Sequence, residues 1–276
     1  MKRFAAGAAL ALTLGTSMTA CATISTQQEV QMGQQYAQQI NAQLPIIQDA
    51  EANRYINILG DSIAKLSDPR NLDWHFYIVN TDEVNAFAVP GGYVYVNRGL
   101  IERATKMDEL AGVLGHEIGH VINRHTVKLM EKQQQANVGV ALACILTRVC
   151  NSQASQALIQ VGGSALFAKF SREDEAQADE VAVTYVTRAG IDPHGLPDMF
   201  QILLNERQSA PAALDAWFAT HPTEESRIAD TDSLIAKIDP AILNSLTKDT
   251  PNFHAFKDRV HSLPAPPPQQ QSNPGR

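Results

Sequence analysis

Residues 114–120 read LGHEIGH and place two histidines four positions apart, with a glutamate directly after the first. On a helix, His116 and His120 lie one turn apart and about 40° from each other, so both imidazoles can reach the same ion. Glu117 lies about 100° round from His116 and can reach a water on that ion. This His-Glu-x-x-His spacing is typical of zinc peptidases, in which the histidines bind the metal and the glutamate is the general base. An amphipathic helix with two surface histidines is the alternative, but the neighbouring residues are apolar, and burying these side chains without a metal is costly.

A catalytic zinc site needs a third protein ligand, for which the sequence offers two candidates. His125 is the nearest histidine, but a continuous helix would point it about 140° away from His120, which favours a structural role. The segment SREDEAQADE, residues 171–180, places Glu175 and Asp179 four apart on one face and turns Glu173 about 160° away, toward solvent. Acidic residues are also common where helices begin. Spacing alone therefore does not decide whether Glu175 is a metal ligand or an ordinary acidic residue of a helix N-terminus.

The elements that position these residues follow from hydrophobic periodicity. Residues 26–66 show helical spacing, LDWHFYIV at 72–79 reads as a strand, and VNAFAVPGGYVYVNRGLI at 84–101 reads as two more strands joined at Pro90-Gly91-Gly92. The pattern is helical from about 108 to 125 and again from about 171. We therefore predict an α+β fold that is mostly helical, with a small sheet containing antiparallel strands, in which Ala86 to Val89 form an edge open to an extended peptide.

The first twenty residues resemble an export signal. Lys2 and Arg3 precede a small and apolar stretch, which predicts a signal peptide at 1–20. The following MTAC resembles the lipobox of bacterial lipoproteins, which predicts that Cys21 is lipidated and anchors the chain to a membrane. Ala22 in place of an aspartate points to the outer membrane. A cut after Ala22, which gives a soluble periplasmic or secreted protein, is the alternative.

The remaining chain is expected to form a single domain over 21–262, followed by a disordered tail rich in Pro and Gln at 263–276. The apolar runs within 136–168 are shorter than the roughly 18 residues of a membrane span, so we predict buried or membrane-adjacent helices there. Cys144 and Cys150 are an even pair in an oxidising compartment. A disulfide between them needs a break in the helix, since six helical residues span about 9 Å, and two separate thiols are equally compatible. The net charge of -7 and the absence of a basic stripe exclude a nucleic-acid partner.

Four blocks of the chain resemble metallopeptidase family 48, over about residues 70–235. They are NAFAVPGGYVYVNRGLI, LAGVLGHEIGHVINRH, FSREDEAQAD and ATHPTEESRIAD, in that order. The resemblance is greatest to the LoiP-like periplasmic lipoprotein peptidases. It implies a zincin fold of the gluzincin type, one zinc ion per subunit held by His116, His120 and Glu175, and Glu117 as the catalytic base.

Three further residues acquire roles from the same resemblance. Asp179 is implied to orient a ligand histidine, His221 to approach and mask the zinc, and Arg227 to fix the loop that carries His221. The implied function is that of a zinc-dependent endopeptidase of the bacterial cell envelope, whose substrates are misfolded or damaged periplasmic and outer-membrane proteins. A zinc-stabilised chaperone-like or binding lipoprotein with little proteolytic activity is the alternative.

Overall fold

The computed structural model describes residues 23–136, 169–222 and 225–267. The predicted signal peptide, the lipidation residue Cys21 and residues 268–276 of the predicted tail lie outside these ranges. The possible Cys144 to Cys150 disulfide and the apolar runs from 137 onward lie outside them as well.

The described residues form helices around one small sheet. The helices are α1 (Thr26–Gln43), α2 (Ala50–Ser67), α3 (Arg98–Arg103), α4 (Met107–Ile122), α5 (His125–Ala136), α6 (Arg172–Arg188), α7 (Gly195–Arg207), α8 (Pro211–Thr220), α9 (Glu225–Ile235), α10 (Pro240–Leu243) and α11 (Pro251–Ser262). The strands are β1 (His75–Val79), β2 (Ala86–Val89) and β3 (Tyr93–Asn97). No helix within the described ranges has the length and apolar character needed to span a bilayer. The prediction of a mostly helical fold with a small sheet is confirmed.

The predicted helical region at 26–66 forms two helices, α1 and α2. Leu44 ends α1 in an extended conformation, with φ -92° and ψ 148°. Pro45 explains the break, because a proline disfavours helical geometry in the residue before it. Asp49 then starts α2 by accepting a hydrogen bond from the backbone N–H of Ala52.

The sheet has the strand order β1-β3-β2, in which β1 is parallel and β2 antiparallel to β3. The turn between β2 and β3 uses Gly91 and Gly92 at φ 86° and 100°, which glycine adopts without strain. Strand β2 is an edge, as predicted. The first strand starts at His75 instead of residue 72, because Asp68 accepts hydrogen bonds from the Leu72 backbone and the Trp74 side chain and holds that segment in a loop.

Apolar side chains cover both faces of the sheet. Val94 and Val96 belong to the larger core, which also contains Leu110 and Leu114 of α4. Tyr95, between the two valines, faces a second cluster with Ile40 of α1 and Met130 of α5. The alternation along β3 therefore places α4 on one side of the sheet and α1 with α5 on the other.

Helices α4 and α6 pack unusually closely at two glycines of α4. A Cβ atom built on Gly119 would lie 2.8 Å from the Ala178 Cα, and one built on Gly115 would lie 3.1 Å from the Ala182 Cα. Real Cβ atoms do not approach a backbone to 2.8 Å, so this packing requires glycine at 119. The contact brings the inner face of α6 against the His-Glu-x-x-His turn of α4.

Candidate metal centre

Four buried side chains converge where α4, α6 and the end of α8 meet. They are His116, His120, Glu175 and His221, and one potential ligand atom from each lies within 4.8 Å of the others. The Nε2 atoms of His116 and His120 are 3.0 Å apart, and Glu175 Oε1 lies 3.4 Å from His120 Nε2. The Nε2 atoms of the two histidines and the Glu175 carboxylate are therefore close enough together to bind one ion.

Local sequence determines which of the acidic residues of α6 turns inward. Ser171 caps the helix: its hydroxyl accepts from the Asp174 backbone N–H, and the Asp174 carboxylate accepts from the Ser171 backbone. Asp174 is therefore committed to the cap, and Glu173 is exposed as predicted. Of the three acids in this first turn, Glu175 is the one that faces α4, and only 1% of it is exposed.

His116 is held from its other side by a carboxylate. Its Nδ1 lies 2.8 Å from Asp179 Oδ1. Arg227 donates to both oxygens of Asp179, at 3.0 and 2.7 Å, and its Nη1 lies 2.5 Å from Glu175 Oε2. Because Nδ1 of His116 donates to Asp179, its Nε2 is left free to act as a ligand. Arg227 ties the two carboxylates of α6 together and packs over the ring of Phe200 at 4.3 Å.

His120 is held by another histidine. Its Nδ1 lies 2.9 Å from Nδ1 of His125, and Nε2 of His125 lies 3.2 Å from Gln177 Oε1. Burial lowers the pKa of both rings, which favours their neutral forms. A consistent arrangement has His120 donating to His125 and His125 donating to Gln177, which leaves Nε2 of His120 as an acceptor for a metal.

The position of His125 differs from the one that a continuous helix predicts. Helix α4 ends at Ile122, and Arg124 adopts φ 56° before α5 begins. This left-handed residue reverses the chain and folds His125 back against His120. His125 therefore lies behind a candidate ligand and outside the group of four, in agreement with the structural role that spacing favoured.

Glu117 lies at the same site with a free carboxylate oxygen. It is 1% exposed, and its Oε1 accepts no hydrogen bond from any described residue. The nearest ionisable partner of that oxygen is Nε2 of His221, at 3.5 Å. Burial raises the pKa of the Glu117 carboxyl, which suits a group that must first accept and then return a proton.

Aromatic rings that no sequence pattern indicates pack against the histidines of the centre. Phe170 stacks on His120 with ring centroids 4.0 Å apart, and Trp217 lies 4.8 Å from His221. The backbone N–H of Phe170 donates to the Thr220 carbonyl at 3.2 Å, which joins the start of α6 to the segment that carries His221. No spacing rule marks Phe170, Trp217 or Gln177, because their contacts cross between separate elements.

The donor set fits zinc. Imidazole nitrogens and a carboxylate oxygen are its usual ligands in catalytic sites. The two histidines have second hydrogen-bond partners that fix their ring orientation, as ligand histidines usually do. The buried Oε1 of Glu117, which accepts no hydrogen bond from any described residue, indicates a missing partner of positive character.

Residues 50–235 match the sequence profile of Peptidase family M48. The chain is 34% identical over 256 residues to the beta-barrel assembly-enhancing protease of Escherichia coli (strain K12), which covers 90% of this chain and 50% of that protein. It is 35% identical over 236 residues to the protein of the same name from Yersinia pestis, with 82% and 47% covered. The mitochondrial metalloendopeptidase OMA1 of Schizosaccharomyces pombe is 26% identical over 209 residues, with 75% and 60% covered. The chain thus spans about half the length of the two bacterial relatives.

Proposed function

The chain belongs to peptidase family M48, and on that premise we propose that it is a zinc-dependent endopeptidase of the bacterial cell envelope. Its proposed substrates are misfolded or damaged periplasmic and outer-membrane proteins. The relatives named beta-barrel assembly-enhancing protease support an envelope role, since β-barrels of this kind are outer-membrane proteins.

One observation carries the proposal. The unpartnered carboxylate oxygen of Glu117 lies in the same buried site as the ligand atoms of His116, His120 and Glu175. A purely structural zinc site needs no carboxylate without a partner, and leaving one buried is costly. A carboxylate beside three protein ligands is the arrangement that zinc peptidases use for hydrolysis.

The chemistry divides between the metal and Glu117. When bound by His116, His120 and Glu175, zinc supplies a Lewis acid that polarises the scissile carbonyl and makes water more acidic. Glu117 accepts a proton from the attacking water as the new C–O bond forms. It then returns the proton to the amide nitrogen as the C–N bond breaks, so that a carboxylic acid and an amine leave. Asp179 and Arg227 keep His116 and Glu175 in place throughout.

We assign substrate binding to the edge strand β2. This strand packs against α4, and its outer edge has no strand partner among the described residues. An extended peptide can add to such an edge through backbone hydrogen bonds. This mode selects for unfolded chains, because folded proteins rarely offer an unpaired strand.

We assign a masking role to His221. Its Nδ1 lies 3.3 Å from His116 Nε2 and 3.2 Å from Glu175 Oε1, so it can act as a fourth ligand. Its Nε2 also lies 3.5 Å from the Glu117 carboxylate. With His221 in this position the open coordination site that a catalytic zinc needs is covered, and hydrolysis requires the histidine to withdraw.

The proposed location is the periplasmic face of the outer membrane, through a lipid on Cys21, as in the LoiP-like lipoproteins. Mass spectrometry of the mature N-terminus tests this assignment. A diacylglyceryl-modified Cys21 is the expected result, and an unmodified chain that starts at Thr23 contradicts it.

Peptidase and chaperone functions separate in one assay on the purified full chain. We expect cleavage of casein, loss of cleavage after chelation, and recovery when one equivalent of zinc is restored. A zinc-loaded protein that suppresses the aggregation of an unfolded substrate but cuts no peptide bond would favour the chaperone-like alternative.

A further inference from the structure

Helix α1 lies outside the residues matched by the family profile, yet it carries a buried charge that reaches the active-site helix. Glu29, in the first turn of α1, is 1% exposed. Its carboxylate accepts hydrogen bonds from Arg70 Nη1 at 3.0 and 3.1 Å and from Arg124 Nε at 2.7 Å. A buried glutamate that holds two arginines from distant parts of the chain fixes those parts relative to each other.

The first arginine binds the end of the active-site helix. Nη2 of Arg70 donates to the backbone carbonyl of Val121 at 2.9 Å. Val121 directly follows His120 in the last turn of α4, and its carbonyl also accepts a hydrogen bond from the backbone N–H of Arg124 at 3.0 Å. Arg70, held by Glu29, therefore fixes the last turn of α4 where the second candidate ligand is attached.

The second arginine is the left-handed residue that turns the chain from α4 into α5. Besides its bond to Glu29, Arg124 donates through Nη2 to the backbone carbonyl of Ile24. The Ile24 N–H donates to Glu131 Oε1 of α5 at 2.7 Å. The segment before α1 is thus bonded to the turn residue Arg124 and to α5. That turn brings His125 within 2.9 Å of His120.

Helix α1 also touches the turn of the proposed substrate strand. A Cβ atom on Gly33 would lie 1.8 Å from the Pro90 carbonyl oxygen, and one on Gly91 would lie 3.1 Å from the Val30 Cα. The same helix therefore contacts the β2–β3 turn and, through Glu29, the end of α4.

We propose that Glu29 is a positioning residue of the metal centre. Through Arg70 and Arg124 it fixes the end of α4 and the turn that presses His125 against His120. This inference rests on the zinc centre of the proposed function and assigns a role in it to α1.

The test measures zinc affinity of the full chain by competition with a chelator. The first variant, Glu29→Gln, removes the charge at nearly constant size. The second, Arg124→Gly, removes the hydrogen bonds to Glu29 and Ile24 but keeps the turn, because glycine accepts φ 56°. The matched control is Glu51→Gln, an exposed glutamate in the first turn of the other 18-residue helix, α2. Loss of a partner that orients a metal ligand typically weakens metal affinity by about 10–100-fold. We expect zinc to bind about tenfold more weakly to both variants and with wild-type affinity to the control.

A second readout separates positioning from general stability. The visible absorption of the cobalt-substituted protein at saturating cobalt reports the ligand geometry of molecules that are folded and loaded. We expect altered band intensities in Glu29→Gln and Arg124→Gly and the wild-type spectrum in Glu51→Gln. If Glu29→Gln fails to fold, the zinc affinity and cobalt spectrum of Arg124→Gly decide the test.

Wild-type zinc affinity and an unchanged cobalt spectrum in folded Arg124→Gly would overturn the inference. None of these measurements uses a peptide substrate. A wild-type protein that binds zinc but cleaves nothing would therefore refute the peptidase proposal and leave the role of Glu29 to be judged on affinity and spectrum.

Discussion

Asp179 connects His116 to Arg227: one of its oxygens lies 2.8 Å from His116 Nδ1, and both accept hydrogen bonds from the guanidinium. The carboxylate lies one helical turn beyond Glu175, which Arg227 also contacts. A single arginine thus connects a candidate ligand to the residue that orients another.

Asp179→Asn tests this support. An amide keeps the size of the side chain but loses the charge that favours donation from His116 Nδ1 and pairs with Arg227. We expect zinc affinity to fall by about 10–100-fold in a chelator competition. Glu180→Gln, at an exposed neighbouring position on the same helix, is the control and should bind zinc as the wild type does. Equal affinity in all three proteins would contradict the role of Asp179.

His221→Ala tests the masking role. Removal of the imidazole frees the position that faces His116, Glu175 and Glu117, so we expect the initial rate of casein cleavage to rise while zinc remains bound. The double variant His221→Ala with Glu117→Gln should be inactive, which shows that the added cleavage uses the same base. A lower rate at full zinc occupancy would indicate instead that His221 assists the reaction.

Gly119→Ala tests the close packing of α4 on α6. The added methyl would meet the Ala178 backbone at 2.8 Å, which neither helix can relieve by moving a side chain. We expect a loss of about 1–3 kcal/mol in the free energy of unfolding, measured in denaturant, together with weaker zinc binding. Gly190→Asn adds a larger side chain where no described residue beyond the chain neighbours lies within 4 Å of the added Cβ, at a φ of 78° that asparagine tolerates. This control should change neither the free energy of unfolding nor the zinc affinity appreciably. Wild-type stability in Gly119→Ala would show that the helices can separate at no cost.

The sequence determined part of this centre through local geometry alone. The spacing of His116 and His120 requires one helical face, whatever surrounds it. The choice between Glu175 and His125 could not be made from spacing, because it depends on where α4 ends. A left-handed Arg124 reverses the chain there, and left-handed arginine has no sequence signature comparable to glycine.

Contacts between distant elements were beyond the reach of periodicity. Gly115 and Gly119 read as ordinary small residues, although they allow α6 to approach. Phe170 reaches His120 from a segment fifty residues away in sequence. The late start of β1 likewise depends on side-chain hydrogen bonds from Asp68, which override the strand propensity of residues 72–74.

Asp108 provides a pH-dependent test of the start of α4. Burial raises the pKa of this carboxyl from 3.8 to about 7, with a further rise from nearby acids and an opposing effect of Lys106. The folded state therefore holds the proton more tightly than the unfolded state, and the group destabilises the fold progressively as the pH rises from about 4 to 7.

Asp108→Asn removes that penalty. We expect the variant to unfold at about the wild-type temperature at pH 4 and at a higher temperature than the wild type at pH 8. The corresponding gain in the free energy of unfolding at pH 8 is on the order of a few kcal/mol. Asp258 is exposed, so Asp258→Asn serves as the control and should unfold at the wild-type temperature at both pH values. An Asp108→Asn variant that is no more stable than the wild type at pH 8 would contradict the burial of an ionisable group at this position.

The most direct test of the central claim compares Glu117→Gln with the wild type in zinc content and in kcat/KM for a casein-derived peptide. The variant keeps all candidate ligands, so we predict one zinc per chain in both proteins. General-base groups typically contribute 10²–10⁴-fold, so we predict a loss of kcat/KM of about that size in the variant. Equal cleavage by the fully loaded variant would contradict hydrolysis at this centre.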